Sequence, residues 1–182
     1  MREPENRRDA EFRSFIATAW PRLLRTAFLL SGEQHAGEDL VQQTLERAYV
    51  AWPKVSRADD PYAYVRRILV NEHARRFRRR LPERLVTSVP ETAAPDGYGR
   101  LDERAALLTA LAALPPRQRQ AVVLRYWEDL SEGQAALAMG CSVGTVKSQA
   151  SKGIARLRTA SVLTGLTHVT DLTGLTSIGG TA

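Results

Sequence analysis

The chain has 182 residues, 43% apolar and 25% charged, enough for one or two small hydrophobic cores and inconsistent with disorder throughout. Lysine and arginine number 26 against 20 aspartates and glutamates, giving +6 and a pI near 10.0, which suggests nucleic acid, an acidic protein or a membrane surface as partner. A single cysteine, Cys141, excludes a disulfide framework, and His35, His73 and His168 lack paired metal-ligand spacing, so no metal and no cofactor are expected.

Residues 1 to about 9 are polar and read as frayed. From Ala10 to about Arg80 the pattern is helical almost throughout. Phe12, Phe15, Ile16, Leu23, Leu24, Ala27 and Phe28 recur at helical spacing and mark one buried face. Pro21 is expected to break or kink this stretch. Ser31-Gly32 interrupts it, with a possible capping box from Ser31 to Gln34.

A second helix is expected from about Gln34 to Trp52. Its apolar side is Leu40, Val41, Leu45, Ala48, Tyr49 and Trp52. Its other side carries Glu38, Asp39, Gln42, Gln43, Glu46 and Arg47, an acidic and amide face on a basic chain. Such a face is either a protein-docking surface or plain solvent surface, and the pattern alone favours solvent. Residues 53–60 read as a loop.

A third helix runs from Pro61, a common first helical residue, to about Arg80. Over 61–84 it carries Arg66, Arg67, Arg75, Arg76, Arg78, Arg79, Arg80 and Arg84 against Glu72 and Glu83, a local charge of +6. That density favours phosphate contacts. Tyr62, Tyr64 and Trp52 lie nearby and are candidates to stack on unpaired bases, although each one singly is more simply a core residue.

Residues 81–100 hold three prolines and two glycines without helical period and read as a flexible linker. Helical periodicity returns from Leu101 to about Arg158. Leu107, Leu108, Leu111 and Leu114 give one helix. Pro116 to about Trp127 gives the next, with Val122, Val123 and Tyr126 inward. The tail from 159 to 182 repeats Leu-Thr-Gly-Leu-Thr at 163–167 and 172–176 and is expected to be mobile.

Residues 130–158 carry the signs of a helix-turn-helix. Ser131 and Gln134 form a capping box, Gly140 suits a left-handed helix end, and Ser142 suits the next N-cap. In the second helix Val143, Val146, Ala150, Ile154 and Leu157 are expected inward. Gly144, Thr145, Lys147, Ser148, Ser151 and Lys152 are expected outward, a small, hydroxylated and cationic surface suited to a major groove. An ordinary amphipathic hairpin has the same pattern.

These segments together resemble a known family. In order they are Gly-Glu-Asp-Leu-Val-Gln-Gln-Thr-Leu-Glu-Arg-Ala-Tyr (37–49), Pro-Tyr-Ala-Tyr-Val-Arg-Arg-Ile-Leu-Val-Asn (61–71), Leu-Pro-Pro-Arg-Gln-Arg (114–119) and Gly-Cys-Ser-Val-Gly-Thr-Val-Lys-Ser (140–148). The pattern resembles bacterial sigma factors of the extracytoplasmic-function group, actinobacterial in style, which keep only region 2 and region 4. The resemblance covers about residues 10–158. It implies an all-α fold with region 2 at 10–80 and region 4 at 101–158, and a protein that directs promoter recognition and transcription initiation.

The resemblance implies roles residue by residue. Asp39, Gln42, Gln43 and Glu46 match the segment that docks on the β′ clamp helices of core RNA polymerase, which reverses the solvent reading of that face. The loop at 53–60 with Arg66, Arg67, Asn71, Arg75 and Arg76 matches the part that reads and opens the −10 element. Thr145, Lys147, Ser148, Ser151 and Lys152 match the −35 reader, with Arg117 and Arg119 placed to hold phosphates. An anti-sigma factor is a further candidate partner. Gly133 and Ala135 depart from the pattern, which has a larger apolar residue near 135, and suggest a weaker first helix. The Thr/Gly/Leu tail has no counterpart.

No membrane partner is expected, since no apolar run approaches the roughly 20 residues of a membrane span, and no small-molecule substrate is expected, since no catalytic constellation is visible. The N-terminus lacks signal-peptide character, so a cytoplasmic, nucleoid-associated location is expected. Two other classes are a free-standing helix-turn-helix regulator and an enzyme. The first needs a dimer interface, and no heptad seam is visible. The second lacks a Ser/His/Asp set, a Gly-rich phosphate loop or a metal constellation.

Overall fold

The computed structural model describes residues 3–84 and 99–163. Most of the expected linker and residues 164–182 of the expected tail lie outside these residues, whereas 159–163, expected in the mobile tail, are helical. Among the described residues the secondary structure is helical, with no strand. The chain divides into two compact units, residues 1–73 and 74–182. That division falls inside a helix, seven residues before the boundary expected at 80.

In the first unit, α1 (Glu3–Ser31) and α2 (Gln34–Val50) form an antiparallel hairpin, followed by α3 (Trp52–Val55) and the start of α4 (Pro61–Arg84). Leu23, Ala27 and Leu30 of α1 are buried with Leu40, Val41 and Ala48 of α2, Val55 of α3, and Val65 and Leu69 of α4. Thr26 and Thr44 are buried as well. Each hydroxyl donates to a carbonyl of its own helix, Thr26 to Arg22 O at 3.0 Å and Thr44 to Leu40 O at 2.7 Å. Burial therefore leaves neither hydroxyl unsatisfied.

Several expectations for this unit are corrected. Residues 3–9, expected to be frayed, are helical: they open α1, and Arg8 and Asp9 clasp the end of α2. Tyr49 OH donates to Asp9 Oδ1 at 2.6 Å, and Arg8 lies 4.5 Å above the Tyr49 ring while donating to Tyr49 O. Pro21 does not end α1. Ala17, whose carbonyl loses its usual N–H partner, is exposed together with Pro21, so water can serve that oxygen. Ser31 does not cap α2. Its hydroxyl turns back to Ala27 O at 2.7 Å, and the N-cap of α2 is Glu33 without a side-chain cap bond. The loop expected at 53–60 begins as helix α3, because Trp52 and Val55 both reach the core. Trp52 meets Phe12 edge-on, with ring centroids 5.0 Å apart.

α4 continues to Arg84, four residues past the expected end. In the second unit, α5 (Gly99–Ala113), α6 (Pro116–Val122) and α7 (Glu132–Met139) pack on α8 (Val143–Leu163). The core includes Leu111, Leu114, Ala121, Leu124, Leu130, Ala135, Met139, Val146 and Leu157. Between α6 and α7 the chain forms a π-helical turn, Val123–Trp127, where Glu128 N donates to Val123 O at 3.0 Å. The wide turn shifts the helical register. Leu124 and Leu130 become buried, whereas Tyr126, expected inward, is 45% exposed.

Candidate nucleic-acid and polymerase interfaces

The helix-turn-helix is built by local bonds. Gln134 N donates to Ser131 Oγ at 3.2 Å, and Ser131 N donates to Gln134 Oε1 at 2.9 Å, so the capping box closes from both sides. Gly140 ends α7 at φ 61°, and Cys141 N donates to Ala136 O at 3.1 Å. Ser142 then caps α8, accepting from Thr145 N at 3.2 Å. Ala135, the small residue that suggested a weak helix, is fully buried in the core of the unit.

Two faces of α8 separate. Val146, Ala150, Gly153 and Leu157 are buried, and Ile154 is half-buried. Gly144, Lys147, Ser148, Ser151 and Lys152 are exposed, and Thr145 is half-buried. Val143 is corrected: it is 41% exposed. Helical side chains lean toward the N-terminus, so a first-residue valine overhangs the turn instead of entering the core. Lys147 Nζ lies 3.2 Å from Glu132 Oε2 on α7.

Arg117 and Arg119 have different surroundings. Arg117 is exposed and donates to Met139 O at 2.9 Å, at the carbonyl end of α7. Arg119 is buried and donates to Leu114 O at 3.3 Å and to Ala112 O. Its guanidinium closes the end of α5, which removes it from the surface where a phosphate would bind.

On α2, Asp39, Gln42, Gln43 and Glu46 are all exposed, opposite buried Leu40, Val41, Leu45 and Ala48. Their spacing of three, one and three residues sets them on one helix face. Gln42 Nε2 donates to Glu46 Oε1 at 3.4 Å.

Along α4, Arg67, Asn71 and Arg75 are exposed at four-residue intervals, and Arg76 is half-buried. Arg66 is not on that stripe. It is 6% exposed, with its guanidinium 5.4 Å from the Tyr62 ring centroid. Arg22 lies 4.3 Å from the same ring. Trp52 is buried in the aromatic cluster. Of the three aromatics considered for base stacking, Tyr64 alone is exposed, at 38%. The corrections for Arg66 and Arg119 share one cause: a guanidinium near a core edge can stack or bond to carbonyls instead of facing solvent.

Two ion pairs have no signal in the sequence. Arg47 Nη1 of α2 lies 3.1 Å from Glu72 Oε1 of α4, and the Glu72 side chain is 8% exposed. The other is the pair of Glu132 with Lys147. Both join residues too far apart for a helical i,i+4 rule to find them. No group of three or more potential metal ligands occurs among the described residues. None of the described helices is long and apolar enough to cross a membrane.

The chain matches two family models, sigma-70 region 2 over residues 8–81 and sigma-70 region 4 over residues 104–157. It is 37% identical over 149 residues to the RNA polymerase sigma-E factor of Streptomyces coelicolor, covering 81% of this chain and 84% of that one. The chain belongs to the sigma-70 family. Within it the protein is an extracytoplasmic-function sigma factor, and as such it binds core RNA polymerase and directs it to promoter DNA. The sigma factor SigL of Mycobacterium tuberculosis, of that group, is 28% identical over 152 residues, covering 80% of this sigma factor and 86% of its own length. Among solved structures, the sigma factor RpoE of Bartonella quintana, crystallised with the anti-sigma factor NepR, matches with a TM-score of 0.68 and 30% identity. The match covers 82% of the present sigma factor and 96% of that chain.

Proposed function

We propose that the exposed face of Asp39, Gln42, Gln43 and Glu46 docks on the β′ clamp helices of core polymerase. The observation that carries this is one continuous acidic and amide face, solvent-exposed on a helix whose other side is core. Such a surface repels DNA and suits a basic protein partner. Residues 10–80 act as the polymerase and −10 unit, and residues 101–158 as the −35 unit, joined through the segment at 81–100.

Arg67, Asn71, Arg75 and Arg76 then hold the −10 strand, with Tyr64 added as a stacking platform. Arg66 and Arg119 act from within the fold, supporting neighbouring elements. Thr145, Lys147, Ser148, Ser151 and Lys152 read duplex −35 DNA, with Arg117 beside a phosphate. Unpaired bases bind only after the duplex melts, so their capture shifts the closed complex toward the open one. The protein carries out no covalent chemistry. It acts in the cytoplasm, at the nucleoid when bound to polymerase, and an anti-sigma factor of the kind bound to the Bartonella relative competes for it.

The test is gel filtration of the full chain with sigma-free core polymerase at moderate salt. The wild-type chain is expected to co-elute stoichiometrically and to be displaced by a competing housekeeping sigma factor. Asp39→Ala is expected to weaken core binding about tenfold, a loss of about 1.4 kcal/mol. Its duplex DNA binding stays unchanged. Undiminished core binding by a folded Asp39→Ala chain would overturn the docking assignment.

A further inference from the structure

Glu132 is the first residue of α7, and its carboxylate pairs with Lys147 Nζ on α8 across 3.2 Å. Both side chains are partly exposed, 39% for Glu132 and 61% for Lys147. Exposed pairs of this kind contribute little to folding. α7 and α8 are already joined through a shared core that includes Ala135, Met139 and Val146. Over the whole length from Val143 to Arg158 there is no acidic residue. The acid that meets this cationic face comes from the neighbouring helix.

Given the reading of α8 as the −35 reader, on which this inference rests, we infer that Glu132 is a specificity-determining residue for duplex recognition. An ammonium is a point charge with little directional preference. Left unpaired, Lys147 adds the same phosphate contact to every sequence, which raises affinity without discrimination. Paired with Glu132, it reaches a phosphate only by breaking the pair or by bringing a carboxylate toward another anion. Random duplex therefore gains nothing from it. A base edge is different because it is neutral: Lys147 keeps one of its three donors on Glu132 while another reaches a guanine O6 or N7, and the carboxylate is not drawn toward a full negative charge. Glu132 thus penalises the wrong sequences instead of strengthening the right one.

The experiment measures binding of the full chain to two duplexes by fluorescence anisotropy across a salt series. One duplex has random sequence, and the other is selected from a random pool by the wild-type protein. Glu132→Gln keeps the side-chain shape and leaves the Ser131–Gln134 cap in place. It is expected to bind the random duplex several-fold more tightly, with the slope of log K against log salt steeper by about 0.9. Affinity for the selected duplex changes little, so discrimination falls by the same several-fold factor. In a Lys147→Ala background, Glu132→Gln is expected to change neither duplex. An equal gain in both backgrounds would mean a general effect of removing one negative charge and would overturn the inference. No gain in either background would also overturn it, leaving a solvent pair. If Lys147→Ala alone leaves the selected duplex unaffected, the underlying −35 reading fails instead.

Discussion

Replacing Gly153 with alanine is expected to destabilise the second unit by about 1–2 kcal/mol, although alanine is the better helix former. A Cβ added at Gly153 would lie 2.6 Å from Val122 Cγ2 and 3.3 Å from Gln118 O. Val122 is 1% exposed and β-branched, so it has little room and few rotamers to give way. Helix propensity returns about 1 kcal/mol to alanine. Overpacking costs about 1–3 kcal/mol, and a 2.6 Å approach to a rigid side chain puts it at about 2–3 kcal/mol, which leaves the net loss of about 1–2 kcal/mol. Leucine at 153 is expected to lose more than about 3 kcal/mol. The contrast is Gly144, where a Cβ meets only Ser142 Oγ at 3.9 Å. There propensity has no opponent, and Gly144→Ala is expected to be neutral or stabilising by up to about 1 kcal/mol. Urea unfolding followed by amide hydrogen exchange over residues 111–157 separates these outcomes. A Gly153→Ala chain as stable as wild type would mean that α6 and α8 part easily at this crossing.

The second large effect is expected at Arg47. Arg47→Ala leaves the Glu72 carboxylate buried without its cation, since that side chain is 8% exposed and 3.1 Å from Arg47 Nη1. Breaking a fully buried pair costs about 3–5 kcal/mol. Arg47 is itself half-exposed, so water can partly replace it, and a loss of about 1–3 kcal/mol is expected for the first unit. Adding Glu72→Gln is expected to recover part of that loss, because the stranded charge is gone. Hydrogen exchange over residues 40–70 reads both variants. Equal stability of the single and double variants would show that Glu72 is well solvated without Arg47. Arg47 also adjoins Glu46 on the proposed docking helix, so the pair ties that helix to α4.

Much of the fold was legible in the sequence, for a local reason. The caps at Ser131, Gln134, Gly140 and Ser142 are bonds between residues at most five apart, and the residue types dictate them. The opposed faces of α2 follow from helical period alone. Charge is less legible from residue spacing. Eight arginines between 61 and 84 looked like one phosphate-binding surface, yet Arg66 is buried beside Tyr62. Arg119 likewise serves the carbonyls at the end of α5. Whether a guanidinium faces solvent or a carbonyl is decided by tertiary packing, which residue spacing does not encode. The same holds for Tyr126, because the π-turn at Val123–Trp127 inserts a shift that a steady period misses. Pro21 does not break α1, for the opposite reason. A helix-breaking residue does little harm where its orphaned carbonyl faces water.

The α1–α2 hairpin has a consequence for how the protein is made. Its helices are joined by Gly32 and Glu33 alone, and Phe12 at one end meets Tyr49 at the other with ring centroids 5.1 Å apart. Closing so short a connection costs little entropy, and the contacts that follow zip up along neighbouring turns. A translating ribosome releases this part of the chain before the second unit, at about 5–20 residues per second, far slower than helix formation. The hairpin can therefore assemble on the nascent chain, and the acidic face of α2 is ready while the helix-turn-helix is still being synthesised.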